Sequence, residues 1–240
     1  MTALRTLRNT ASIKPPKKSQ KISIIILSAG LGTRMKSYGP KPLISVGNSN
    51  IVSRQLAIID TTIKIQHEII IVIGYGAQTV LRKLPHNIVK VENERYETTN
   101  VTHSIYLALN ACTTDNVLMI YGDLVFNEQT LCLPFNCSWL STNTTMSDNE
   151  VGCIIDDNQS ISNLSYGLND KWSQIGFFTN KELKLLYNIC AKEENKQVFG
   201  FEVMNKIIEN GGTFKHVRPT NTKINDIDCT KDLALISDWI

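Results

Sequence analysis

The sequence has six cysteines, Cys112, Cys132, Cys137, Cys153, Cys190 and Cys229, but no C-x-x-C pair. Their wide spacing excludes a compact zinc ribbon and a dense disulfide framework, and reduced thiols in a cytoplasmic protein are the economical expectation. No segment approaches the roughly 20 apolar residues of a membrane helix, so no membrane partner is expected. Nor is there a general excess of basic charge. The net charge is +3, but Arg5, Arg8, Lys14, Lys17, Lys18 and Lys21 stand in the first 21 residues with no acid, which leaves about −3 for the remainder. A nucleic-acid partner is therefore not expected. That first stretch ends in "IKPPKKSQK" and lacks the apolar run of a signal peptide, while its prolines keep a helix from running into Ile22. The expected organisation is a basic, flexible tail over residues 1–21 and one domain over 22–240, a length suited to one substantial core.

Familiar catalytic signatures are missing too. Ser28 lies in no G-x-S-x-G elbow, and His67, His86, His103 and His216 have no metal-ligand spacing. What the chain does have is alternation. "ISIIIL" at Ile22 and "HEIIIVIGYG" at His67 read as strands buried on both faces, with an apolar periodic helix, Ile51 to Ile63, between them. The pattern continues with a short helix "AQTVLRKL", a strand "NIVKVEN", a helix "VTHSIYLALNAC" and a strand "NVLMIYGDLVF" that runs into an acid. Such βα alternation predicts a mostly parallel sheet with ligands beyond the carboxyl ends of its strands. Residues 136–149, rich in Ser, Thr, Asn and Asp, read as an exposed loop. "EVGCIID", "QSISNLSYG" and "SQIGFFT" read as short antiparallel additions, followed by helices at 180–194 and 198–210, a strand "TFKHVRP", and a terminal segment that starts extended and ends helical.

The loop after the first strand, "LSAGLGTRMKSYGPKPL", carries the chemistry. Gly30 and Gly32 let the backbone turn and let amide groups face an anion. Two common phosphate loops do not fit: no G-K-S/T follows, and Met35, just after Arg34, stands where G-x-G-x-x-G requires its third glycine. Arg34 and Lys41 instead offer a fork-like donor and a flexible point charge to the phosphates of a nucleotide and a departing pyrophosphate.

Leu27 to Leu43 resembles the signature of the nucleotidyltransferase superfamily, which includes sugar-1-phosphate nucleotidylyltransferases, small cytidylyltransferases and MobA-like molybdopterin guanylyltransferases: A/S-A/G-G-x-G-x-R-M/L and then P-K-P. "YGDLVF" and the later "NDIDCTKDL" resemble the superfamily's metal-binding segments, which implies Asp123 and Asp228 as ligands of Mg²⁺. Seen alone, Asp228 or Thr230 reads equally as the cap of a last helix. "VENERYETTNVTHSIYLAL" resembles the base-reading segment of small cytidylyltransferases such as the phosphocholine group, and implies that Asn93, Asn100 and Ser104 line a nucleotide pocket with Leu27, Ser28, Ala29, Gly30, Gly32 and Thr33. A helix cap at Asn100 or Thr102 is compatible with that role. Lys171, Gln174 and Glu202 fall where related enzymes contact the acceptor. Trp139, Trp172, Phe177, Phe199 and Phe201 read either as core or as a box for a choline-like cation, with core the better explanation.

The resemblance implies a three-layer α/β/α sandwich, like the glycosyltransferase-A and nucleotide-diphospho-sugar transferase folds, with a mostly parallel mixed central sheet. It implies a cytoplasmic, Mg²⁺-dependent transfer of CMP from CTP to a small phosphorylated or phosphonate acceptor by a monomer or homodimer, with Arg34 and Lys41 as the catalytic cations. The alternatives are a sugar-1-phosphate nucleotidylyltransferase, a glycosyltransferase of related fold and a non-catalytic nucleotide-binding module. A glycosyltransferase would carry D-x-D where "YGDLVF" has one acid.

Overall fold

The computed structural model describes residues 21–144 and 149–240. The basic tail expected before Ile22 lies outside these residues apart from Lys21, which opens the first strand. In chain order the strands and α-helices are β1 (Lys21–Ser28), β2 (Ser45–Val46), β3 (Ser49–Asn50), α1 (Ile51–Thr62), β4 (Gln66–Ile73), α2 (Ala77–Leu81), β5 (Val89–Glu92), α3 (Val101–Ala111), β6 (Asn116–Tyr121), β7 (Leu124–Phe126), β8 (Trp139–Asn143), β9 (Val151–Ile155), β10 (Ser160–Tyr166), β11 (Asp170–Thr179), α4 (Asn180–Cys190), α5 (Gly200–Glu209), β12 (Phe214–Val217), β13 (Ile224–Asp226) and α6 (Thr230–Ile236).

Nine strands form one sheet in the order β5-β4-β1-β6-β11-β8-β12-β10-β9. Its first four strands are parallel, joined by α1, α2 and α3. From β11 onward the sheet is mixed: β11 runs antiparallel to both β6 and β8, and β12 runs parallel to β8. β9 pairs with β10 and again with the start of β11, so the far half of the sheet curls back on itself. Alternation along β1 explains the three layers. Ile25 and Leu27 face a core shared with α3, α4 and α5, while Ile22, Ile24 and Ile26 face a second core with α1 and α2. Among the described residues no helix is long and apolar enough to cross a membrane.

Three features depart from the sequence reading. "NVLMIYGDLVF" is two strands, not one. β6 ends at Tyr121, Gly122 donates its N–H to Leu27 O at 2.8 Å, and β7 leaves the large sheet to pair with β13. A Cβ on Gly122 would lie 1.8 Å from Ser28 Oγ, so only glycine fits at this exit. The expected loop at 136–149 contains β8, which is buried between β11 and β12. Its polarity concealed it: Thr142 is fully buried because its hydroxyl meets His216 Nε2 at 2.6 Å and the Arg218 guanidinium, and the Trp139 indole donates to Pro134 O at 2.6 Å. The helices at 180–194 and 198–210 are shorter than expected. The chain between them makes a 3₁₀ turn at Glu193–Asn195, and α5 starts only after Phe199.

Candidate active site

A cleft of about 580 Å³ opens at the carboxyl ends of β1 and β6, lined along one side by Leu27 to Arg34. β1 delivers the loop, and Gly32 turns it with φ +53°, after which Thr33–Tyr38 coil into a 3₁₀ helix whose first bond runs from Met35 N to Gly32 O at 2.8 Å. Gly30 has no such conformation and no atom near its missing Cβ, so the turn itself needs only Gly32. The P-K-P segment forms another 3₁₀ turn at Lys41–Leu43, with Leu43 N bonded to Pro40 O at 2.9 Å.

The two acids, 105 positions apart in the chain, meet through the β7–β13 ribbon. Ile227 N–H donates to Asp123 O at 3.0 Å, which sets Asp228 beside Asp123. Lys41 Nζ lies between their carboxylates, donating to Asp228 Oδ1 at 2.5 Å and Asp123 Oδ2 at 3.2 Å; Arg34 stands 3.7 Å from Asp228 Oδ2. A separate small core supports all four groups. Met35, Ile44, Val125 and Ile227 pack together with Ile51 and Ile236, each of the first four within three residues of Arg34, Lys41, Asp123 or Asp228. Burial opposes the charge on Lys41, but Asp123 and Asp228 more than offset it and hold its pKa above the ordinary lysine value. Burial also pushes the Asp123 carboxyl up, Lys41 opposes this, and Asp228 and Asp226 add to it.

The opposite end of the cleft is polar. Asn93 is buried, with its amide donating to Ser104 Oγ at 3.1 Å and Thr99 Oγ1 at 3.2 Å and its carbonyl accepting from Arg95 N at 3.0 Å. These bonds tie the 93–99 loop to α3. Asn100 caps that helix, accepting from Val101 N at 2.7 Å, and all three residues line the cleft. Tyr96, Glu97, Thr99, Tyr121 and Phe199 line it as well, and no spacing or motif in the sequence marked them as a group.

The three residues expected at the acceptor lie elsewhere. Glu202 accepts from Phe199 N at 2.8 Å and so fastens the start of α5. Lys171 is buried and donates to Glu150 at 2.5 Å and Asp226 at 2.9 Å. With Gln174 it lines a different, much smaller pocket, at a bulge of β11 where Gln174 has φ +57°. Local bonding holds two of these side chains away from the main cleft, a helix start for Glu202 and a buried ion pair for Lys171. Of the five aromatic residues, Trp139, Trp172 and Phe177 are core, while Phe199 is half exposed and stacks on Phe201 at 6.2 Å.

The donor set suits Mg²⁺. It offers two carboxylates with only oxygen donors, already converging on one cation, and Asp123 Oδ1 is buried without a partner. Among the described residues no group of three or more His, Cys, Asp or Glu gathers as a metal site, so the remaining ligands would come from phosphate and water.

Residues 24–141 match the MobA-like NTP transferase domain. The bifunctional protein GlmU of Neisseria meningitidis serogroup B is 32% identical over 137 residues, 56% of this chain and 27% of GlmU, and that of Pseudomonas putida F1 is 34% identical over 110 residues, 45% and 23%. The chain thus spans about a quarter of the length of the curated relatives it matches. Among solved structures, the CTP:phosphocholine cytidylyltransferase LicC of Streptococcus pneumoniae superposes with TM-score 0.75 at 18% identity, covering 90% of this chain and 98% of LicC. The inositol-1-phosphate CTP transferase of T. maritima gives 0.71 at 18%, covering 88% and 90%. A Bacillus anthracis protein named for glucose-1-phosphate thymidylyl transfer gives 0.70 at 12%, covering 89% and 93%. These similarities are of fold. The sequence likeness to the MobA-like NTP transferase domain covers residues 24–141, just under half of the chain.

Proposed function

We propose that this chain is a nucleotidyltransferase that transfers CMP from CTP to a small phosphorylated or phosphonate acceptor and releases pyrophosphate, in the cytoplasm. The observation that carries the reading is one cleft with Arg34, Lys41, Asp123 and Asp228 at one end and Asn93, Asn100 and Ser104 at the other. An acceptor phosphate oxygen attacks the α-phosphorus of the nucleotide, a new P–O–P bridge forms, and the bond to the β-phosphate oxygen breaks as pyrophosphate leaves. The protein's part is to position reactants and neutralise charge. Arg34 and the amides of the glycine loop hold the pyrophosphate end, and Lys41 reaches the α-phosphate and the incoming oxygen. Asp123 and Asp228 would hold Mg²⁺, which when bound supplies positive charge to the phosphate oxygens. The polar end reads the base, and preference for cytosine rests on its likeness to cytidylyltransferase segments and on the LicC and inositol-1-phosphate CTP transferase folds.

A sugar-1-phosphate acceptor is the second reading, favoured by the thymidylyltransferase-like neighbour. Pyrophosphate release from four NTPs, each against phosphocholine, phosphoethanolamine, aminoethylphosphonate, glycerol phosphates and hexose 1-phosphates, separates the two. CTP with an alcohol phosphate or phosphonate is the expected pair. Turnover that survives Asp123→Asn combined with Asp228→Asn would sink the mechanism.

A further inference from the structure

Lys41 holds both acids at once. One ammonium between two carboxylates leaves a negative charge over, and Asp123 Oδ1 is still without a partner. The acids are fixed, because the bond from Ile227 N to Asp123 O clamps their backbones together. The backbone of Lys41 is fixed too, by its 3₁₀ turn between Pro40 and Pro42, but its stem is a flexible chain lying along the bare face of Gly32, where a Cβ would stand 2.8 Å from Lys41 Cγ. The ammonium can therefore leave the acids while they stay in place. Arg34 is no substitute: it is 74% exposed and reaches Asp228 alone, at 3.7 Å.

We propose that Lys41 is the resident counter-ion of the Asp123–Asp228 pair and competes with a divalent cation for it, so that nucleotide phosphate, by drawing the ammonium away, couples metal loading to nucleotide loading. This rests on the nucleotidyl-transfer reading above. A site that is vacant only part of the time binds with an affinity reduced by that fraction, and removing the occupant restores it.

The test is Mn²⁺ binding to the full chain without nucleotide, read by the electron paramagnetic resonance of free Mn²⁺ and by calorimetry. Lys41→Met keeps the length of the stem and removes the charge. Its affinity for Mn²⁺ is expected to exceed that of the wild type by roughly tenfold or more, with a larger rise in melting temperature on adding Mn²⁺. The gain should vanish in Lys41→Met combined with Asp123→Asn. Circular dichroism checks folding, and Lys41→Gln takes its place, with the same expected direction, if the Met variant does not fold. In the wild type, a non-hydrolysable CTP analogue should tighten the Asp123-dependent part of Mn²⁺ binding. Asp123-dependent binding with the analogue but no gain in a folded Lys41 variant overturns the counter-ion role and leaves nucleotidyl transfer standing. No Asp123-dependent binding under any condition overturns both.

Discussion

Arg34 and Lys41 were singled out in the sequence by the glycine loop they stand in, and Asp123 and Asp228 by the resemblance of their segments to those of a known superfamily. Their mutual geometry was not legible, because nothing in a linear pattern says that one ammonium will reach both acids. Gly32 shows the same division. A turn glycine was expected, and the structure adds that its left-handed conformation and its contact with the Lys41 stem both oppose a side chain there. Gly32→Ala should cost about 1 kcal/mol or more in a urea melt, since alanine at positive φ is strained, and should raise the nucleotide KM by moving Lys41. A variant with unchanged melt and KM would contradict this. Tyr121 carries the opposite expectation. Its hydroxyl is buried without a partner against Gly200, where a Cβ would lie 1.9 Å from it, and burial pushes the phenol pKa well up. Tyr121→Phe should leave stability within about 1 kcal/mol of the wild type or raise it, because an unmade buried hydrogen bond is a cost. A loss of more than about 2 kcal/mol would mean that the hydroxyl has a partner in solution.

Among the elements, the repeating βα units from β1 to β6 were readable because the inner parallel strands β1, β4 and β6 are rich in buried apolar residues and leave continuous apolar runs. β8 was not readable, since its buried Ser141 and Thr142 look like loop residues until β12 brings His216 to them. The β7–β13 ribbon was hidden for a similar reason. Three-residue strands carry almost no periodicity, and this one forms only because Gly122 lets the chain leave the sheet. The small core around Ile227 gives the ribbon its functional weight. Ile227→Ala should cost about 2–4 kcal/mol and also lower kcat well below the melting temperature, because Asp228 is the next residue. Val80→Ala, on the buried face of α2, should destabilise without that loss of kcat. Equal effects of the two variants on kcat would remove the special role of the ribbon.

At the scale of the whole molecule, the sheet is pinned at its amino end, far from the cleft, by one carboxylate. Glu68 on β4 accepts from Ser23 Oγ at 2.6 Å on β1 and from Thr113 N at 2.7 Å after α3. Burial alone would raise its pKa, but these bonds prevail and hold it below the ordinary glutamate value of 4.5. The proton therefore binds the unfolded chain more readily. The stability this group contributes is present above the ordinary value and is lost as pH falls through the lowered folded value. Glu68→Gln should flatten the acid limb of melting temperature against pH below the ordinary value of 4.5, while leaving kcat unchanged. An acid limb as steep as that of the wild type would assign the loss to other carboxylates.

What the sequence determined by itself was local. Apolar periodicity set the βα order, and the residues of the opening loop, read with the two later acids through their resemblance to a known superfamily, pointed to the proposed reaction class, because each of those signals is complete within a few neighbouring positions. Tertiary structure decided what depends on distant segments meeting. It set the exit of the chain at Gly122, the ribbon that joins Asp123 to Asp228, the burial of polar β8, and the capture of Lys171 by Glu150 and Asp226 away from the main cleft. Hydrogen bonds and ion pairs between residues up to 187 positions apart fix these arrangements, and their energy depends on ångström distances that exist only once the chain is folded.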